Sequence, residues 1–314
     1  MATSEEINNQ ALKASGPAEL NPQEITTKEI KELGIPISSS IERVPEPVKC
    51  EYCGKTLYHE AVCAFGTIVC IRSIPQRCTC EKAVKHWEEY DKAEAERKEQ
   101  ERQKEEFERY LKRCRSAGID KRHMNCSLQN YRVDRKNNKA QARAFDMVKD
   151  YIRHFDEYAK NGRSLYIEGT YGTGKTHLAC AIAKELIKQE KRVICKTPTE
   201  LLQSIRNAYD NNPCLTEQQI VDRFKKVDLL IVDDFGKQKP TEWGMATMYD
   251  ILNYRYGEML PTIITTNFNE DSLIQALSGN GVDRSKIESI ISRFHQSADV
   301  ITMAWSDYRG EQNG

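Results

Sequence analysis

Apolar residues first fall into a helical rhythm at Ala144, Met147, Val148, Tyr151, Ile152 and Phe155, which predicts a helix over residues 139 to 158. "SLYIEG", ending at Gly169, then reads as a short buried strand. From there the two periods alternate: "HLACAIAKELIKQE" as helix, "RVICKT" as strand, "PTELLQSIRNAY" as helix, "VDLLIVDDFG" as strand, "WGMATMYDILNYRY" as helix and "PTIITTNFN" as strand. Strands that are apolar on both faces need cover on both faces. The pattern therefore predicts an α/β fold, a mostly parallel sheet flanked by helices.

Upstream the pattern is different. Residues 81 to 115, "EKAVKHWEEYDKAEAERKEQERQKEEFERYLKRCR", carry 11 acidic and 11 basic side chains with neither proline nor glycine. Pairs such as Glu81/Lys85, Glu88/Lys92, Glu94/Lys98, Glu105/Arg109 and Glu108/Lys112 have the favoured i,i+4 order. A coiled coil needs sustained apolar a and d positions, and between Asp91 and Glu106 nothing larger than alanine is apolar. The expected element is a solvated spacer helix roughly 50 Å long. Residues 1 to 48 are polar and contain Pro17, Pro22, Pro36, Pro45 and Pro47; they read as a mostly flexible tail with one short helix near Thr26 to Leu33. Four segments result: the tail (1–48), a cysteine-rich module (49–80), the charged helix (81–115) and an α/β domain (116–314).

Charge narrows the partners. The 47 Lys+Arg and 47 Asp+Glu cancel, so no global basic field announces nucleic acid, and any such surface must be local. No run reaches the ~18 apolar residues of a membrane span, and "MATSEEINNQ" lacks the pattern of a signal peptide, so a cytoplasmic protein without membrane contact is expected. Six of the 11 cysteines fall between Cys50 and Cys80, a clustering that favours metal over disulfides. Cys50 and Cys53, followed by Gly54, have the spacing of a zinc knuckle. Cys78 and Cys80 are the favoured second pair for a four-cysteine Zn²⁺ site. His59, Cys63 and Cys70 are the rival ligands, although "AVCAFGTIVC" also allows Cys63 and Cys70 to be small buried hydrophobes.

The strand ending at Gly169 runs into "GTYGTGKTHLA". Gly169, Gly172, Gly174, Lys175 and Thr176 fit G-x-x-x-x-G-K-[ST] between a strand and a helix, the context expected of a phosphate loop. Its glycines let backbone N–H groups turn inward around phosphates. Gly169, Thr170, Tyr171, Gly172, Thr173, Gly174, Lys175, Thr176 and His177 are the candidate ATP-binding residues. Lys175 is suited to the β/γ-phosphates and the Thr176 hydroxyl to Mg²⁺. "LLIVDD" places Asp233 and Asp234 at the carboxyl end of a buried strand, Asp233 to hold Mg²⁺ through water and Asp234 to orient the attacking water. Asn267, ending "TIITTN", is placed to hold that water.

The order of these motifs resembles an AAA+ ATPase. The wording is closer still to the DnaC/DnaI type of bacterial replicative-helicase loader, a family shared with phage replication proteins and the IstB transposition ATPases. The resemblance runs from about Ala117 to Arg309 through "AGIDKRHMNCSLQNY", "GTYGTGKTHLACAIAKELI", "TPTELLQSIRNAY", "VDLLIVDDFG", "TIITTNFN", "IISRF" and "DYRG". It implies an arginine finger at Arg293, a sensor-2 arginine at Arg309, self-association through the ATPase domain, and a hexameric replicative helicase and single-stranded DNA as partners. The N-terminal module is then the natural grip on the helicase, and it resembles the zinc-bearing N-terminal region of many loaders. With so few residues after Arg309, no helical lid is expected, and Asp-Asp in place of the more usual Asp-Glu implies slow, switch-like hydrolysis. Between "RVICKT" and "VDLLIVDD" some thirty residues allow two helices; Arg206, Arg223, Lys225 and Lys226 are the local charges there for DNA, with a solvated face as the alternative. An IstB-type ATPase regulating DNA transposition is the alternative function. A non-hydrolysing nucleotide-binding module fits less well with the set of acid, Asn and Arg.

Overall fold

The computed structural model describes residues 23–314 apart from 135, 137, 212–215, 280 and 307–314. It divides into two compact units, Met1–Gln103 and Lys104–Gly314.

The first unit is small and antiparallel. Strands β1 (Gln23–Thr26), β4 (His59–Ala64) and β5 (Thr67–Pro75) form one sheet in the order β1-β4-β5, and β2 (Val48–Lys49) pairs with β3 (Thr56–Leu57). Helix α1 (Thr27–Leu33) starts at a capping box in which Thr26 and Glu29 satisfy each other's backbone N–H groups, and stops at Gly34 in the left-handed region (φ 59°). Its Ile30 packs with Ala61 and Ile68. The expected tail is thus ordered from Gln23 onward. Its apolar residues Ile25, Ile30, Ile35 and Ile41 are single residues in polar sequence, and they gain a core only when the β4–β5 hairpin is beside them. Residues 1–22 lie outside the described residues.

Helix α2 runs from Glu81 to Ser116. Two of the anticipated pairs are formed, Lys85–Glu81 at 3.1 Å and Lys98–Glu94 at 2.8 Å, both solvent-accessible and worth little each. The border expected at residue 115 falls earlier, because the helix from Lys104 belongs to the second unit. Cys114 is fully buried there, Tyr110 packs on the same core, and Arg113 donates to the Lys191 carbonyl (3.1 Å).

That second unit is built on a parallel sheet of β6 (Ser164–Gly169), β7 (Val193–Lys196), β8 (Leu229–Val232), β9 (Thr262–Thr266) and β10 (Ala298–Met303), in the order β10-β6-β9-β8-β7. Alternate strand residues serve opposite faces. Leu165, Ile167, Leu229, Ile231 and Ile263 pack under α3 (Lys139–Arg153) and α5 (Lys175–Lys188), against Val148, Tyr151, Leu178 and Leu186. Tyr166, Leu230, Val232 and Ile264 face the other way, toward α6 (Pro198–Asn211), α7 (Glu217–Lys225), α8 (Glu242–Gly257), α9 (Glu270–Leu277) and α10 (Arg284–Ser297). Each such side chain contributes about 2 kcal/mol on burial. The helix expected over 139–158 is broken at His154, after which α4 (Phe155–Lys160) begins. Two helices, α6 and α7, occupy the stretch between β7 and β8. Edge strand β10 was not evident in the pattern, since only Ile301 and Met303 of its six residues are buried. Among the described residues no helix is long and apolar enough to cross a membrane.

Candidate nucleotide site and cysteine centre

The phosphate loop joins β6 to α5 at the carboxyl end of the sheet. Two of its glycines are required by close approach as well as by their backbone. At Gly169 (φ 143°) a Cβ would lie 2.0 Å from the Met303 carbonyl oxygen, and at Gly174 (φ 93°) 2.8 Å from the Tyr131 ring. The loop is therefore pressed against β10 on one side and the segment before α3 on the other. Lys175 is buried, and its Nζ donates to the carbonyls of Gly169 (2.9 Å) and Thr170 (2.6 Å). Thr173 is also buried, and its hydroxyl donates to the Thr170 carbonyl at 2.9 Å.

Strand β8 delivers the two aspartates next to this loop. The Asp233 carboxylate accepts from Thr176 Oγ1 (2.9 and 3.1 Å) and from Thr265 Oγ1 (2.6 Å). Burial pushes the Asp233 carboxyl up, the Thr265 hydroxyl opposes that, and the neighbouring Asp234 charge adds to the rise. A buried carboxylate beside a threonine hydroxyl is a hard-oxygen pair of the kind Mg²⁺ selects, so Thr176 and Asp233 fit the ion. Asp234 turns into a left-handed conformation (φ 56°) as its N–H donates to Thr265 Oγ1 (2.8 Å). Its carboxylate accepts from Asn267 Nδ2 (3.2 Å) and pairs with Lys237 Nζ (2.8 Å).

Thr173, Lys175, Thr176, Asp234, Lys237 and Asn267 line one cleft of about 750 Å³, together with Tyr131, Tyr171 and Trp305. Tyr131 and Trp305 were missed in the sequence. The Tyr131 hydroxyl (3.3 Å) and Trp305 Nε1 (3.2 Å) both donate to the Thr173 carbonyl, so two aromatic side chains far apart in sequence fasten the loop. Tyr131 stacks on Phe145 at 5.7 Å, and burial pushes its phenol up to about 12. His177 sets its ring against the Ser127 backbone (Nε2 to carbonyl oxygen, 2.9 Å), and burial holds its pKa down, so it braces the segment leading to Tyr131.

Arg293 stands apart from this group. Arg293 donates to the Tyr249 hydroxyl (3.2 Å) and lies over the Tyr249 and Tyr256 rings at 5.5 and 5.6 Å. It lines a separate cavity of about 270 Å³ with Gly162, Ser164 and Thr262, residues at the starts of β6 and β9, whereas the phosphate loop follows the end of β6. Arg309 lies outside the described residues. Of the four charges considered for DNA, Lys225 is unsuited: it is buried and paired with Asp250 at 2.7 Å. Lys226 pairs with Asp222 (2.9 Å), and Arg206 lies 4.3 Å over the Trp243 ring.

In the first unit Cys50, Cys53, Cys78 and Cys80 bring their sulfurs within 4.8 Å of one another. Cys53 Sγ–Cys78 Sγ is 3.4 Å and Cys50 Sγ–Cys80 Sγ 3.9 Å, close to the ~3.8 Å edge of a tetrahedron with zinc–sulfur bonds of about 2.3 Å, so the donor set fits Zn²⁺. The turn closes with the Gly54 N–H donating to the Cys50 carbonyl (2.8 Å). The Tyr52 backbone N–H pulls the Cys50 thiol down to about 7. The rivals are elsewhere. Buried His59 directs Nδ1 to the Arg72 carbonyl (2.9 Å), and Cys63 and Cys70 sit in the β4–β5 pairing.

Comparison with known proteins bears on the second unit. The family model described as IstB-like ATP binding protein matches residues 93–313, a range that excludes the four clustered cysteines. The replicative helicase loader DnaC of Escherichia coli strain K12 is 28% identical over 198 residues, covering 63% of this chain and 75% of that protein. YdaV of the same strain is 28% identical over 205 residues, 65% of this chain and 79% of its own. A crystal structure of DnaI aligns over 60% of this chain and 93% of its own at 27% identity, with a TM-score of 0.49.

Proposed function

The chain belongs to the IstB-like ATP-binding protein family, and on that premise we propose that it is an ATP-dependent loader of a replicative DNA helicase onto single-stranded DNA. The ATP-driven part is carried by one observation: Thr176, which lines the cleft with Lys175, Asp234 and Asn267, donates to the Asp233 carboxylate at 2.9 Å. The helicase part is supported by the relatives named as helicase loaders. In this reading the loop N–H groups and Lys175 bind the phosphates. Thr176 and Asp233 would hold Mg²⁺, which when bound would supply charge neutralisation on the phosphate oxygens. Asp234 and Asn267 orient a water whose oxygen attacks the γ-phosphorus, and the bond to the β-phosphate oxygen breaks to leave ADP, phosphate and a proton. The pair formed by Asp234 with Lys237 is in keeping with slow turnover.

Arg293 serves a neighbouring copy. Strand β6 alone separates the start of the sheet from the phosphate loop by roughly 17 Å, beyond the reach of an arginine held by two tyrosines to its own nucleotide. Self-association through the ATPase unit would bring that guanidinium to the next subunit's γ-phosphate. Arg206 and Arg223 remain for DNA, and the zinc-bearing first unit is the grip on the helicase.

The test is co-purification of the chain with a replicative helicase, joined by Arg293→Ala. That variant should bind ATP normally yet lose ATP-dependent self-association in sedimentation. Capture of a transposase in place of the helicase would establish the reading as an IstB-type regulator of transposition, which the family match also supports.

A further inference from the structure

Asp234 does not stand free in the cleft. Its backbone is left-handed at φ 56°, a conformation aspartate tolerates better than most residues but one the chain must impose. The turn that follows imposes it. At Gly236 (φ 101°) a Cβ would lie 2.5 Å from Leu273 and 2.8 Å from Phe268, so the backbone is wedged against α9 and the segment before it. The Lys237 N–H donates to the Asp234 carbonyl (3.3 Å), and the Gly236 N–H donates to Gln238 Oε1 (3.0 Å). This turn returns Lys237 to the carboxylate three residues before it, with Nζ 2.8 Å from Oδ2. The same ammonium lies 5.1 Å from the centre of the Tyr171 ring, on the loop that would wrap the phosphates. Meanwhile Asn267 holds Oδ1 at 3.2 Å. Both oxygens therefore have a protein donor, and one of the donors carries a full positive charge.

We propose that Lys237 is a positioning residue that restrains hydrolysis in cis. Its ammonium offsets the Asp234 charge and holds the carboxylate to one side. The inference rests on the reading of Asp234 as the residue that orients the attacking water. A carboxylate polarises water through its net charge, and an ammonium in contact turns that charge into a dipole whose field falls off faster with distance. Lysine suits a reversible restraint because its charge sits on a flexible four-carbon stem and is not fixed bidentately. Asn267, which is neutral, aims the carboxylate without offsetting it. Lys175 is buried against the loop carbonyls, so the two lysines of the cleft have separate tasks.

The experiment uses the full chain. Steady-state hydrolysis by Lys237→Gln is expected to show kcat raised about tenfold with KM for ATP within about threefold of the parent, a split that general loss of structure does not produce. Lys237→Arg, which keeps the cation, should stay near the parental kcat. Without nucleotide, amide exchange over residues 234–238 should quicken in Lys237→Gln and not in Lys237→Arg. Lys237→Met repeats the removal with a side chain of similar shape if the glutamine variant folds poorly. A kcat for both removals at or below the parental value overturns the proposal, since Lys237 would then assist the phosphates or do nothing; so does an arginine variant that behaves like glutamine. Asp234→Asn separates the two readings. Parental hydrolysis by that variant removes the role of Asp234 itself, whereas its loss alongside an unchanged Lys237→Gln rate removes only the restraint.

Discussion

The two units reach order by different physical means. Around the phosphate loop, the sheet and its helices bury a continuous apolar cluster that includes Ile167, Leu178, Leu186 and Ile231, and the site residues hang on that frame. Around the cysteines, the buried residues are Cys50, Cys78 and Ala83, with Leu57, Cys80 and Trp87 packed against them. A core of that size cannot offset the conformational entropy of the loop it closes, so there the donor atoms are themselves the scaffold. In the nucleotide unit a ligand meets a prepared cleft; around the four cysteines a bound metal would complete the fold.

Metal removal should show the largest contrast. Structural zinc contributes about 10 kcal/mol or more in small thiolate modules, so chelation or Cys50→Ser should unfold the segment around 50 to 80, seen as lost amide protection, while ATP binding by the second unit persists. Elemental analysis finding only traces of zinc in protein purified without chelator would erase the contrast.

Next is Lys175→Ala, which acts only on the second unit. It should weaken ATP binding at least about a hundredfold, roughly 2.7 kcal/mol, in a fluorescent-nucleotide titration, with zinc content unchanged. Hydrolysis at the parental rate would end the nucleotide assignment.

A smaller effect sharpens the border between the units. Residues 104–314 should bind nucleotide with parental affinity. A fragment starting at Gly118 loses Tyr110, Cys114 and the Ala117 carbonyl that accepts from the Cys195 N–H at 2.6 Å, and should melt more than about 5 °C lower in calorimetry. Equal melting temperatures would put the border back near residue 115. The smallest change, Trp305→Phe, removes one hydrogen bond to the Thr173 carbonyl. It should weaken ATP binding about fivefold, in line with about 1 kcal/mol for one such bond. No change in the same titration would mean that Tyr131 alone holds the loop.

What could be read in advance follows the range of the interactions. The phosphate loop, Asp233, Asp234, Asn267 and the clustered cysteines are short motifs whose chemistry demands particular side chains a few residues apart. The period-2 and period-3.6 patterns around them declare strands and helices locally. These were legible in the chain itself, as was the charged helix, whose polar surface needs no partner to be recognised.

Tertiary structure alone decided the rest. Tyr131 and Trp305 meet at the Thr173 carbonyl from points 174 residues apart in numbering, and no local pattern marks either. The order from Gln23 depends on the pairing of β1 with β4, and the burial of Cys114 on the core beneath α5. Lys225 and Arg223 look alike in sequence, yet one is buried against Asp250 and the other is exposed. The ion pair of Lys237 with Asp234 needs a turn set by contacts of Gly236 with Leu273 and Phe268. A period or a motif is a property of neighbours along the chain. Contacts made after long loops close depend on which faces the fold brings together, and the sequence carries that information only through the packing of the whole.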